Sequence, residues 1–171
     1  MHKDADEVKV VDKLKIKWEG VFNLNDLYIK IKEWLDYEGY GDEKSNFKEV
    51  FYTERVKPSG KAYEIVWKGE KKTSDYFGRV ITLSYQLLGI NTVEVQSDGK
   101  KLKLQKGTIT LELSTSLIKN RQGKWPKDSW MKKIYERYVV KKRMNDYLLD
   151  IYNQSYSLQN EIKNYLNLSE F

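Results

Sequence analysis

The sequence predicts an α+β fold: a single antiparallel sheet of about six to seven strands, with an N-terminal helix and a long C-terminal helix on one of its faces. Three features of the 171-residue chain carry that expectation. Apolar and polar residues alternate near the N-terminus and again from Phe47 to Leu117, the period of half-buried strands. Between Leu24 and Leu35, and from Asp128 to about Leu166, apolar residues instead recur every three to four positions, the period of helices. Within the strand region, Lys57-Pro58-Ser59-Gly60 and Asp98-Gly99 are turn sequences of the kind that join antiparallel neighbours.

Residues 1–7 read as a flexible tail, and the first strand follows over 8–18, with Leu14, Ile16 and Trp18 on one side and Lys13, Lys15 and Lys17 on the wet side. Gly20 ends it. Asn23 or Asn25 is placed to cap the next helix, with Asp26 near its positive end and Leu24, Leu27, Tyr28, Ile31, Trp34 and Leu35 at helical spacing; Gly39 and Gly41 stop it. A strand at 47–56 then meets one carrying Tyr63, Ile65 and Trp67. Ile81, Leu83, Tyr85 and Leu87 define another, Val93/Val95 and Leu102/Leu104 flank Asp98-Gly99, and Ile109, Leu111 and Leu113 define the last. Thr82, Ser84, Gln86, Thr108, Thr110 and Glu112 fall on the opposite, wet face, and Lys106-Gly107 suits a bulge.

The chain forms one domain, with the strand–helix–sheet part at 8–127 and the long helix at 128–166, roughly 58 Å if straight. The apolar stripe of that helix has two phases. Met131, Ile134/Tyr135 and Tyr138 come first; Met144, Leu148, Ile151, Ser155, Leu158, Ile162 and Tyr165 follow out of register, which predicts a kink or a change of packing partner near 139–143. The second phase spans three heptads and suits either a homodimer through 144–165 or packing on the chain's own sheet.

Composition narrows the chemistry. With no Cys there is no disulfide, Cys-ligated zinc, iron–sulfur cluster or thiol nucleophile, and the single His, His2, falls in the tail, poorly placed as a base or ligand. A Ser nucleophile therefore lacks a partner base, and no P-loop or GxGxxG run is present. Asp42/Glu43 and Glu70-Lys71-Lys72 are fragments that a chain with 33% charged residues produces by chance. The reading is thus a non-enzyme with no catalytic residues, no metal site and no cofactor. No apolar run is long enough to span a bilayer, and the N-terminal residues lack the apolar core of a signal peptide, so a cytoplasmic or intravirion protein is expected.

Charge is concentrated. Between Lys119 and Arg143 stand ten basic residues against two acids, Asp128 and Glu136, a net +8 where the whole chain carries +6, so the remainder is acidic overall. Lys119, Arg121, Lys124, Lys127, Lys132, Lys133, Arg137, Lys141, Lys142 and Arg143 are the candidate phosphate-neutralising groups, and Trp125, interleaved with Trp130, Tyr135 and Tyr138, is the candidate stacker. Cations beside aromatics suit RNA, a ribonucleoprotein or another polyanion. The same pattern also suits an ordinary solvated helix whose aromatics face the core. Lys13/Lys15/Lys17 and Lys100, Lys101, Lys103 and Lys106 extend the basic surface if their strands lie close together, or protect sheet edges.

The aromatics Trp18, Trp34, Tyr63, Trp67 and Tyr85 sit on predicted apolar faces, where they either fill the core or line a cavity. The element order over the whole chain resembles the helix-grip architecture of START-related proteins, in which a curved sheet wraps the last helix. That resemblance implies a pocket for a lipid or aromatic ligand, and so a carrier or sensor of an apolar small molecule. The chain also resembles uncharacterised archaeal-type small proteins in Thr73-Ser74-Asp75-Tyr76-Phe77, in the stretch from Val93 to Lys101 and in Gly123-Lys124-Trp125; that likeness brings no activity with it.

Overall fold

The computed structural model describes residues 2–40, 47–97 and 100–168. Strand β1 (Asp6–Phe22) is followed by helix α1 (Leu24–Tyr37), then by β2 (Phe47–Lys57), β3 (Gly60–Lys72), β4 (Gly78–Ser97) and β5 (Lys100–Lys119). Helix α2 (Trp130–Ile134), a π-helical turn (Tyr135–Val139) and α3 (Lys141–Leu168) complete the order. The five strands form one open sheet in the order β1-β5-β4-β3-β2, and every neighbouring pair is antiparallel. The fold is α+β, with a long C-terminal helix.

The strand count corrects the expectation of six to seven. Val93/Val95 belong to the same strand as Ile81–Leu87, and Leu102/Leu104 to the same strand as Ile109–Leu113. Both extra boundaries fall at one bulge. Leu88 pairs with Thr108 and Asn91 with Lys106, so Gly89 and Ile90 together face the single residue Gly107. Gly89 takes φ 65°, which glycine adopts without steric cost. A Cβ on Gly107 would lie 2.6 Å from Ile90 Cδ1 and 2.9 Å from the Leu88 carbonyl oxygen, so the strand bends here without ending. Both hairpin connections are antiparallel: Lys57 pairs with Gly60 and Ser97 with Lys100. The Asp98-Gly99 turn, Gly41 and the Asp42/Glu43 pair lie outside the described residues. At the N-terminus the strand begins at Asp6, earlier than the alternation suggests, and Ala5 is already buried.

One face of the sheet is apolar because β-strands send alternate residues to opposite sides. Leu14, Ile16 and Trp18 pair with Leu113, Leu111 and Ile109, and these continue into Leu83, Tyr85, Leu87, Ile65 and Trp67. Helix α1 covers that face with Leu27, Ile31 and Leu35, and α3 with Leu158, Ile162 and Leu166. Asn23 caps α1, its side chain accepting from the Asp26 N–H at 3.3 Å. A second cluster, Tyr76, Phe77, Leu117, Val140 and Ile151, lies toward the first half of α3.

A polar network ties α1 to α3 and the sheet. Buried Arg79 on β4 donates to Gln154 at 3.0 Å and pairs with Asp150 at 2.6 Å, while Gln154 donates to Glu38 at 2.7 Å. The heptad stripe of α3 faces inward: Ile151, Ser155, Leu158 and Ile162 are buried within their own chain. Ser155, polar at a seam position, meets Thr115 on β5 at 2.9 Å and donates to the Ile151 carbonyl at 2.7 Å. That stripe is the sheet's cover and is not open to a second helix.

Candidate functional site

The basic segment leaves β5 through a loop that Asn120 closes. Asn120 takes φ 51°, a left-handed conformation that Asn tolerates, and its buried amide donates to the carbonyls of Asp4 at 2.9 Å and Trp125 at 2.6 Å while accepting from the Trp125 N–H at 3.2 Å. Trp125 is thereby turned in against Tyr135, ring centroids 6.1 Å apart, as part of the second apolar cluster. A turn from Pro126 to Ser129 then launches α2.

The helical arm 130–139 is seated by its polar side chains. Lys132 is buried and forms an ion pair with Asp6 on β1. Glu136 accepts from Lys119 at 2.8 Å and from the Tyr76 hydroxyl at 2.7 Å. Burial, reinforced by the hydrogen bond to Glu136, pushes the Tyr76 hydroxyl well above its ordinary pKa and keeps it a donor. Tyr135 packs edge-on to Tyr76 at 5.2 Å. Val140, buried, ends the π-helical turn, its N–H bonding the Tyr135 carbonyl at 3.1 Å before α3 begins.

These contacts divide the predicted binding residues. Lys119 and Lys132 are held by carboxylates inside the fold, and Trp125 is a packing residue, which corrects their assignment to an open face. Arg121 lies half-buried over Gly78 in a small cleft of about 250 Å³, with His2, Glu70 and Lys72 among its lining residues. Lys124, Lys127, Lys133, Arg137, Lys141, Lys142 and Arg143 are exposed, and among the described residues none of them has an ion-pair partner. On the strands, Lys15 and Lys101 pair with Glu112 at 3.2 Å and Glu94 at 4.0 Å, which reduces their share of any basic surface.

The sequence reading missed the arm's outer apolar side chains. Met131, Ile134 and Tyr138, expected as the first phase of a core stripe, are 47%, 47% and 73% exposed, and Trp130 and Val139 are exposed with them. No local signal marks this, because the partners that turn Lys132 and Glu136 inward, Asp6, Lys119 and Tyr76, stand far off in the chain.

The five candidate pocket aromatics do not converge on one cavity. Trp67 and Tyr85 are in edge contact at 5.0 Å, and Tyr28 closes on Trp67 at 4.1 Å. Trp67 Nε1 donates to the Tyr28 oxygen at 2.9 Å and to Glu49 at 3.1 Å. Burial raises the pKa of both Tyr28 and Tyr85. Trp18 is half-buried at the other edge of the main core, and Tyr63 lines shallow hollows beside β2. Trp34 alone of the five lines a groove of about 400 Å³ between α1 and α3, with Leu27, Ile31, Leu158, Ile162 and Tyr165.

Among the described residues no group of three or more His, Cys, Asp or Glu is arranged to hold a metal ion. No helix is long and apolar enough to cross a membrane. No family model, curated protein or solved structure matches the chain.

Proposed function

We propose that the chain is a non-enzymatic binding protein that docks on a polyanion, such as RNA or a ribonucleoprotein, through the face bearing Lys124, Lys127, Lys133, Arg137, Lys141, Lys142 and Arg143. The observation that carries this reading is the contrast within one segment: Lys119 and Lys132 are ion-paired with carboxylates, whereas those seven form no ion pair among the described residues. Clustered unpaired cations repel one another, and a phosphate surface relieves that repulsion while releasing its own counterions. Trp130 and Tyr138, exposed on the same arm, take the stacking role first assigned to Trp125.

Titration of the purified protein with a short structured RNA and with heparin, at two salt concentrations, tests this reading. Tight binding that weakens steeply with salt is expected. Lys141→Glu/Lys142→Glu/Arg143→Glu should weaken it and reduce the log–log salt slope by about 2 to 3. Lys132→Met should leave it unchanged. No binding at low salt, or a triple variant that binds as the wild type does, removes the proposal.

The groove between α1 and α3 favours a second reading, a START-like carrier or sensor of an apolar small molecule. Native mass spectrometry and organic extraction should then release a co-purifying ligand, and a Trp34→Ala chain should lose it.

A further inference from the structure

Surface helices of soluble domains turn apolar side chains inward and charges outward. Residues 130–139 depart from this, exposing apolar side chains alongside the charges of Lys133 and Arg137. Lys132, Tyr135 and Glu136 face the fold and find partners there, while Trp130 (69% exposed), Met131, Ile134, Tyr138 and Val139 (61%) face solvent. Trp130, Ile134 and Tyr138 recur every four residues and form an exposed apolar ridge, and the exposed Lys133 and Arg137 stand directly before Ile134 and Tyr138 in the chain. The Arg137 guanidinium lies over the Tyr138 ring at 5.6 Å, joining cation to ridge.

Three kinds of partner meet such a surface differently. A nucleic acid uses the cations and the two aromatic rings but offers little apolar surface to bury Met131, Ile134 and Val139. A second copy docked through the same face would set Lys133, Arg137 and Lys141 against their own counterparts. An acidic bilayer surface matches both features: its headgroup phosphates lie where Lys and Arg end, and its acyl chains receive the ridge. Trp and Tyr favour that boundary because each has an apolar body and a polar edge.

We infer that the arm formed by α2 and the π-helical turn seats this protein on an anionic lipid surface, lying in the interface without spanning it. The inference rests on the polyanion reading and names its partner. The full chain is floated with phosphatidylcholine vesicles containing or lacking phosphatidylglycerol, with RNA titrated in parallel. The wild type should float only with the phosphatidylglycerol vesicles, its tryptophan emission shifting to the blue as Trp130 leaves water. Met131→Gln and Ile134→Gln, which add no charge and spare the stacking rings, should each lower partitioning about tenfold, while RNA affinity stays within about twofold. Lys133→Glu/Arg137→Glu should lower both. Met131 and Ile134 are each 47% exposed, so circular dichroism should show native folds, and either variant suffices if the other is damaged. RNA binding without flotation overturns the lipid assignment and leaves the polyanion reading standing. Flotation that neither glutamine variant weakens also overturns it. Binding to neither partner removes both.

Discussion

Lys132 and Lys133 are adjacent in the chain and opposite in circumstance. The Lys132 ammonium is 3% exposed and has Asp6 as its ion-pair partner, whereas Lys133 is exposed. A buried charge that loses its partner is more damaging than one replaced by an apolar side chain of similar length. Asp6→Asn strands the buried Lys132 and should therefore cost about 3 kcal/mol. Lys132→Met leaves behind a carboxylate that keeps 24% exposure to water, so it should stay within about 1 kcal/mol of the wild type. Urea unfolding midpoints of the two variants decide the point; if Lys132→Met is the more harmful, the pair is a net stabiliser and not a positioning device for the arm. Counting charges along the window could not separate these two lysines, because the carboxylate that distinguishes them belongs to the first strand.

Among the elements, the paired strands β4 and β5 show how glycines let a strand bend without ending. Gly107, expected at a bulge, lies opposite the one formed by Gly89 and Ile90, and both glycines sit inside continuous 20-residue strands. Gly107→Ala would press a methyl group against Ile90 and two backbone oxygens that cannot move without disturbing the ladder, so a loss of about 2 kcal/mol is expected. Chemical denaturation measures that loss, and a change below about 0.5 kcal/mol would mean that the bulge relaxes freely. Helix α3 offers the opposite case. Its spacing of apolar residues was legible, but whether the stripe faced another helix or its own sheet was not. Thr115 opposite Ser155 settles that orientation, since both hydroxyls are buried and satisfy each other.

Across the whole molecule, four tyrosines couple the fold to alkaline pH. Burial raises the hydroxyl pKa of Tyr40 to about 12 from an ordinary 10.0, and Tyr28, Tyr76 and Tyr85 are raised as well. A raised pKa means that the folded state retains protons the unfolded chain gives up, so stability is intact below pH 10 and falls as pH climbs toward 12. Tyr40 alone accounts for a loss of about 2 kcal/mol over that interval. Thermal unfolding followed by circular dichroism should show a melting temperature that is flat from neutral pH to about 10 and then drops. Tyr40→Phe should make the drop shallower. A melting temperature that holds steady up to pH 12 would show that these hydroxyls ionise equally well in both states.

Local patterns made the fold class legible: period two for the strands, period 3.6 for the helices, Pro58-Ser59 at a hairpin, and Asn23 at a helix start. Each depends on residues a few positions apart, which the chain presents together whatever its fold. The basic segment was legible in the same way, as composition. Which of its side chains point outward was not, because Asp6, Tyr76 and Lys119 reach the arm only after β1, β4 and β5 have assembled beside it. Those distant partners turn Lys132 and Glu136 inward, and the side chains on the opposite side of the arm, Trp130, Ile134 and Tyr138, are left in solvent.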